Sequence, residues 1–175
     1  MLRISIFALT TGAVLPSLAS ATDPALVVPS TTSAWTGTWI LDRAASDTLE
    51  LVLKAQGVSK AKRIVAEKVD LTQKLFDHGD QLDVEMVGPT TKSTTLVFDG
   101  KERSQTTDRG DILYRAKRET SGAMVVISRP KGGSGLITVV TRSLDPDGQT
   151  LRQKITVKGA VEGPVSATLV FRRAG

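Results

Sequence analysis

The 175-residue sequence contains no cysteine. That excludes a disulfide framework, thiolate catalysis, a zinc site built on sulfur and a lipid anchor carried on cysteine. Aromatic residues make up only 4 %, too few to build the stacking platforms used on single-stranded nucleic acid. The lone histidine, His78, sits in the turn Asp77-His78-Gly79-Asp80, which leaves Ser59 and Ser128 without a histidine base. No G-x-S-x-G, H-E-x-x-H or P-loop occurs. Aspartates and glutamates fall in turns or on outward strand faces, without the pairing of a general acid and base. Asp145-Pro146-Asp147-Gly148 opens like a calcium loop but lacks the later ligands, so it is taken as a hairpin turn. These absences point away from an enzyme and imply no metal and no cofactor.

Long apolar runs are also missing after the first 21 residues, so no later stretch approaches a membrane span. The start itself has the parts of a secretory signal. Met1-Leu2-Arg3 is a short basic opening, Ile4 to Leu18 is mostly apolar and broken at Pro16, and Ala19-Ser20-Ala21 offers a small-x-small cleavage site. The expectation is a signal peptide over 1–21 with the cut after Ala21, a loose Pro/Ser/Thr-rich linker over 22–33, and one domain over 34–175. A periplasmic or secreted location follows from that leader. Removing it takes away Arg3 and no acid, lowering the net charge from +5 to +4.

The positive balance raises the question of nucleic acid. From Lys101 to Arg118 and from Arg142 to Lys158 the basic residues mostly alternate with apolar ones, as on the solvated face of a sheet. They form no cluster, and no nucleic-acid partner is expected.

Only Asp47 to Val69 has helical character. Asp47 and Glu50 have the spacing of a capping box, Leu49, Val52, Leu53 and Gln56 make one stripe, and Gly57 is placed to end the helix. Ser59 is expected to cap a second helix with Ala61, Ile64 and Val65 on its apolar side and Lys60, Lys62, Arg63 and Lys68 around it. Two helices of about six turns together are not stable alone in water. Both are expected to dock on the strands as a lid.

The rest is a succession of short strands with turn signals about every 8–12 residues, the spacing of a sandwich or barrel. The first is Trp35 to Asp42. Nine more follow the helices, the fourth and fifth joined through Asp99-Gly100-Lys101, a hairpin signal. The last two run from Leu151 to Lys158 and from Val165 to Arg173. The fold class expected is all-β, a ten-stranded antiparallel up-and-down barrel with a helix-turn-helix lid after the first strand. Full closure would remove the exposed edges.

Gly37-Thr38-Trp39, the helical pair LKAQGVSKAKRIVAE, the turn HGD, and Lys158-Gly159 followed by Val170-Phe171-Arg172-Arg173 occur in one order along the chain. In that order the sequence resembles the intracellular lipid-binding proteins, the fatty-acid-binding-protein branch of the lipocalin-like barrels. From VFDGKE to VFRR it also resembles small exported bacterial lipocalin-like domains. The resemblance implies a ten-stranded barrel around a cavity with a helical portal. It places Arg142 at or next to the family's inward arginine, which often meets a ligand carboxylate. The family's Arg-x-Tyr clamp on the last strand falls on Leu169 and Phe171, both apolar, which favours a bulkier or less acidic ligand.

Alternation places Leu151, Gln153, Ile155 and Val157 inward. The preceding strand is ambiguous, because both of its faces carry apolar residues, so Arg142 faces either solvent or the interior. An inward guanidinium would need a wet chamber, an acidic ligand head or a buried carboxylate. The candidate ligand-binding residues are Arg142, Gln153, Tyr114, Ile155, Leu169 and Phe171. The candidate portal residues are Val52, Leu53, Ile64 and Val65. The function expected is exported binding or transport of a lipid or other small hydrophobic ligand by a monomer. The alternative is a protein-interaction or inhibitor module with a filled barrel. The basic second helix is either a solvated face or a transient contact with an anionic membrane.

Overall fold

The computed structural model describes residues 33–175 apart from Pro89, Asp108 and Ser134. The leader and all but the last residue of the linker lie outside the described residues. Ser33, expected in the loose linker, is tied down: its hydroxyl donates to Asp77 Oδ2 at 2.5 Å.

The strands are β1 (Gly37–Leu41), β2 (Thr72–Asp77), β3 (Gln81–Val87), β4 (Lys92–Val97), β5 (Arg103–Thr107), β6 (Gly110–Arg118), β7 (Met124–Pro130), β8 (Ile137–Leu144), β9 (Thr150–Lys158) and β10 (Val165–Arg173), with α1 (Glu50–Ala55) and α2 (Lys60–Ala66) between β1 and β2. They form one antiparallel ten-stranded sheet in the order β4-β3-β2-β1-β10-β9-β8-β7-β6-β5. The first and last strands are therefore neighbours, with Trp39 opposite Arg173 and Leu41 opposite Phe171.

Closure differs from the expectation. β4 and β5 do not pair, so two backbone edges survive. Asp99-Gly100-Lys101 is not a hairpin turn between them. The Gly100 N–H donates to the Ala116 carbonyl at 3.0 Å, which sends β5 along β6 instead of back along β4. Side chains span the seam. Gln105 Nε2 donates to Thr94 Oγ1 at 2.7 Å, and Arg118 of β6 donates to Asp77 of β2. The Arg118 guanidinium also lies 4.5 Å from the Phe98 ring centre.

One end of the barrel is packed solid. Trp39, Leu75, Leu82, Met124, Leu151 and Phe171 have essentially no solvent exposure and belong to one core cluster. The Trp39 indole donates to the Trp35 carbonyl at 3.1 Å, and Arg173 stacks over its ring at 4.3 Å. Gly37 there has φ +154°, a backbone conformation that residues with a side chain rarely adopt.

The helices cover the other end, and α1 is the part that docks. Val52 packs with Val157 and Ala167, backed by Leu49, Ala55 and Leu136. Gly57 ends α1 as the spacing predicts. At φ +74° it donates to the Lys54 carbonyl while Val58 donates to that of Leu53, the two bonds of a Schellman ending. The capping expectations at the other helix ends are corrected. Asp47 caps nothing; it pairs with β10, accepting from the Thr168 N–H at 2.8 Å and donating its own N–H to the Thr168 carbonyl. Glu67 takes over, accepting from the Leu49 N–H at 2.7 Å and the Thr48 hydroxyl at 2.8 Å. Ser59 is the N-cap residue of α2 but makes no side-chain capping bond.

The expected docking of α2 on the strands is also corrected. Ile64 is 49 % and Val65 59 % exposed. Polar bonds hold α2 in place instead: Arg63 Nε to Glu50 Oε1 at 2.8 Å, and Arg43 to the carbonyls of Glu67 and Val69. With its position fixed by those bonds and by packing on α1, its apolar side is left facing water.

Candidate functional site

The inward row of β8 is Thr138, Val140, Arg142 and Leu144. Arg142 stands directly opposite Met124 of β7 and Gln153 of β9, and in an antiparallel ladder opposed residues point to one side. The side chain is inside, 8 % exposed. Its Nε has no hydrogen-bond partner, and among the described residues no carboxylate forms an ion pair with it. Burial alone pushes its pKa down to about 10, so it still carries its charge at neutral pH.

Gln153, 7 % exposed, accepts a hydrogen bond at 3.1 Å from Nε2 of Gln73 on β2. Gln73 is fully buried and its Oε1 has no partner. Nothing in the sequence reading singled out Gln73 as a site residue. The signal was available: it interrupts the apolar row Leu71, Leu75, much as Gln153 interrupts Leu151, Ile155. What sequence lacked was the knowledge that β2 and β9 face each other across the lumen.

The remaining ligand-binding candidates fall at two levels. Tyr114 is 6 % exposed, its hydroxyl 3.4 Å from the Thr95 carbonyl across the seam. Leu169, beside Gln153 in the β9–β10 ladder, is buried. Ile155 and Val140 face the lumen yet are only partly buried. Phe171 is different: it is fully enclosed in the packed end and fills the barrel there.

Above Arg142 lies a mouth. A cavity of about 480 Å3 is lined by Gln56, Thr107, Ile112, Ser128, Pro130 and Thr138, among others. Thr138 is four residues along β8 from Arg142, about 13 Å of strand. Gln56, the last residue of the α1 stripe, spans this opening. It donates to Thr138 Oγ1 at 3.4 Å and accepts from Arg109 at 3.3 Å.

Of the portal candidates, Val52 is buried against Val157 and Ala167 and Leu53 is partly buried; neither lines the mouth cavity. Ile64 and Val65 do not seal it; they face solvent. A shallower groove of about 330 Å3 runs outside α1, lined by Leu51, Lys54, Ala55, Leu136, Val161 and Val165 among others. It lies away from the Arg142 row. Among the described residues no group of three acidic or histidine side chains could hold a metal, and no helix is long and apolar enough to cross a membrane.

Ten antiparallel strands in one curled sheet, with two helices after the first strand, match known structures. The Schistosoma mansoni fatty acid binding protein in complex with arachidonic acid superposes with a TM-score of 0.67 over 82 % of this chain and 98 % of that one, at 23 % identity. The chain has the fatty-acid-binding-protein fold. The same fold relates it to Caenorhabditis elegans lipid binding protein 8, with a TM-score of 0.68, 16 % identity and coverage of 82 % and 99 %. It also relates it to human cRBP IV, with 0.65, 17 % and coverage of 79 % and 97 %. No family model matches the sequence, and no curated protein matches it.

Proposed function

We propose that this protein binds a lipid-like molecule in the upper part of the barrel, with its polar head at Arg142 and its apolar body toward the mouth beneath α1. The observation that carries this reading is the buried guanidinium without a counter-ion. A charge inside a protein costs several kcal/mol unless paired, and an acidic ligand head would supply the partner. A barrel meant to be filled by its own side chains gains nothing from that cost, which disfavours the interaction-module reading. Burial of the ligand's apolar body against Ile155, Val140 and Leu169 would provide most of the affinity. Leu169 and Phe171 leave Arg142 as the one buried cation among the described residues. The solved structures of like fold include proteins described as fatty acid binding and fatty acid transporter, which supports the same ligand class.

The protein acts by binding, without chemistry. The leader suggests export to the periplasm or beyond. The exposed Ile64 and Val65, ringed by Lys60, Lys62 and Lys68, suit a transient contact of a monomer with an anionic membrane. The test is titration of the mature chain with a fluorescent anionic fatty-acid analogue. Saturable binding weakened at least tenfold by Arg142→Met is the expected result. Binding unaffected by that change removes Arg142 from the site, and no binding at all overturns the reading.

A further inference from the structure

We infer that the ligand head carries a hydroxyl beside its carboxylate, the carboxylate meeting Arg142 and the hydroxyl donating to Gln73. This rests on the lipid-binding reading above and specifies its ligand. Two buried polar atoms in the barrel lack partners, and they are of opposite kind: Arg142 Nε is a donor and Gln73 Oε1 an acceptor. They belong to one group. Arg142 and Gln153 are opposed in the β8–β9 ladder, with Cα atoms about 5 Å apart, and Gln153 holds Gln73 by the 3.1 Å amide bond.

A plain carboxylate offers acceptors only. It would satisfy the arginine and leave the Gln73 oxygen as it is, at the cost of an unmet buried acceptor. Neither ladder neighbour of Gln73 brings it a donor. Gln73 is opposed by Trp39 on one side and Met86 on the other. The single N–H of Trp39 is already given to the Trp35 carbonyl, and methionine has none. A hydroxyl close to the carboxylate supplies the missing donor. Gln153 is the ladder neighbour of Arg142 and the bonding partner of Gln73, so the hydroxyl is placed near the head, on the second or third carbon of the acid. With Leu169 and Phe171 unable to grip the head, this glutamine provides its second polar contact. Turned end for end together, the two amides would present an N–H of Gln73 instead, and a keto acid would then be preferred. The experiment separates these cases.

Titration calorimetry of the mature chain with hexadecanoate, 2-hydroxyhexadecanoate, 3-hydroxyhexadecanoate and 2-oxohexadecanoate ranks the head groups directly. One hydroxy acid should bind about tenfold tighter than hexadecanoate, and within the Gln73→Met variant the ratio of the two affinities should fall to twofold or less. The wild-type ranking stands alone if the variant does not fold. Equal affinity of hexadecanoate and both hydroxy acids overturns the inference and leaves the lipid reading intact, as does tighter binding of the oxo acid. Failure of all four acids to bind overturns both.

Discussion

Gln73 and Gln153 touch across the barrel, Nε2 of the first donating to Oε1 of the second at 3.1 Å, although β1 and β10 lie between their strands in the sheet. The bond lies between a dry packed end, where Trp39, Leu151 and Phe171 leave no space, and the helix-covered end, with Arg142 beside Gln153 at its level. Apolar burial stabilises the first region. The second carries unmet polar groups, a cost that the empty protein bears.

That cost gives Arg142→Met an unusual sign. Burial that pushes the arginine pKa down to about 10, well below its ordinary value, corresponds to about 3 kcal/mol against the charged form. Methionine of similar length should therefore raise the stability of the empty protein, by about 1–3 kcal/mol, seen as a higher melting temperature. Folded and unfolded chains both hold the proton below pH 10, and the destabilisation is relieved only as pH rises from there toward the ordinary arginine value. The gain should hence be the same at pH 6 and pH 9. A melting temperature lowered by the change would show that the guanidinium has a partner.

Asp77 closes the far end. Its side chain is 6 % exposed and pairs with Arg118, while also accepting from the Ser33 hydroxyl and the Gly79 N–H. Asp77→Asn removes the charge that all three donors address and should cost about 2–3 kcal/mol in urea unfolding. Ligand affinity should stay within twofold, because the seal is at the end away from the mouth.

The two helices should answer differently to truncation. Val52 is 1 % exposed, so Val52→Ala is expected to cost about 1–3 kcal/mol by opening space against Val157 and Ala167. Ile64→Ser with Val65→Ser, on the wet side of α2, should leave the melting temperature unchanged within a degree or two, on the order of ±0.5 kcal/mol. The same pair should reduce co-sedimentation with anionic vesicles at low salt. Unreduced binding would remove α2 from the membrane contact.

Acid should loosen the barrel through its surface carboxylates. Asp42 is held below the usual value of 3.8 by the Arg172 hydrogen bond and the Ala45 N–H, and Asp145 likewise by Arg152. A carboxyl with a lowered folded pKa contributes stability above its unfolded value and loses it as pH falls. The urea midpoint should be level from pH 7 to 5 and drop below about pH 4. Asp42→Asn combined with Asp145→Asn should make that drop shallower; an unchanged slope would mean that neither pair persists in solution.

Much of the strand framework was legible because period-2 alternation survives local reading. β9 is the clearest case, its four inward residues set apart from Arg152, Lys154 and Lys158 by polarity alone. Gly57 was equally readable, since a left-handed helix ending requires what only glycine supplies without strain. β8 was not, because Val139 and Ile137 on its outer face are as apolar as Val140 on its inner one. Only its pairing with β9 turned Arg142 inward.

Elsewhere the decision belonged to contacts distant in sequence. Asp47 has a capping residue's spacing, but β10, about 120 positions away, takes it first. Asp99-Gly100 has a hairpin's residues, but a bond to Ala116 redirects the chain. The sequence by itself determined where strands run, which residues alternate and where helices stop, because those depend on neighbours a few residues apart. Tertiary structure alone decided the open seam, the wet side of α2 and the meeting of Gln73 with Gln153 beside an unpaired arginine, because each depends on which strands the curling of the sheet brings face to face.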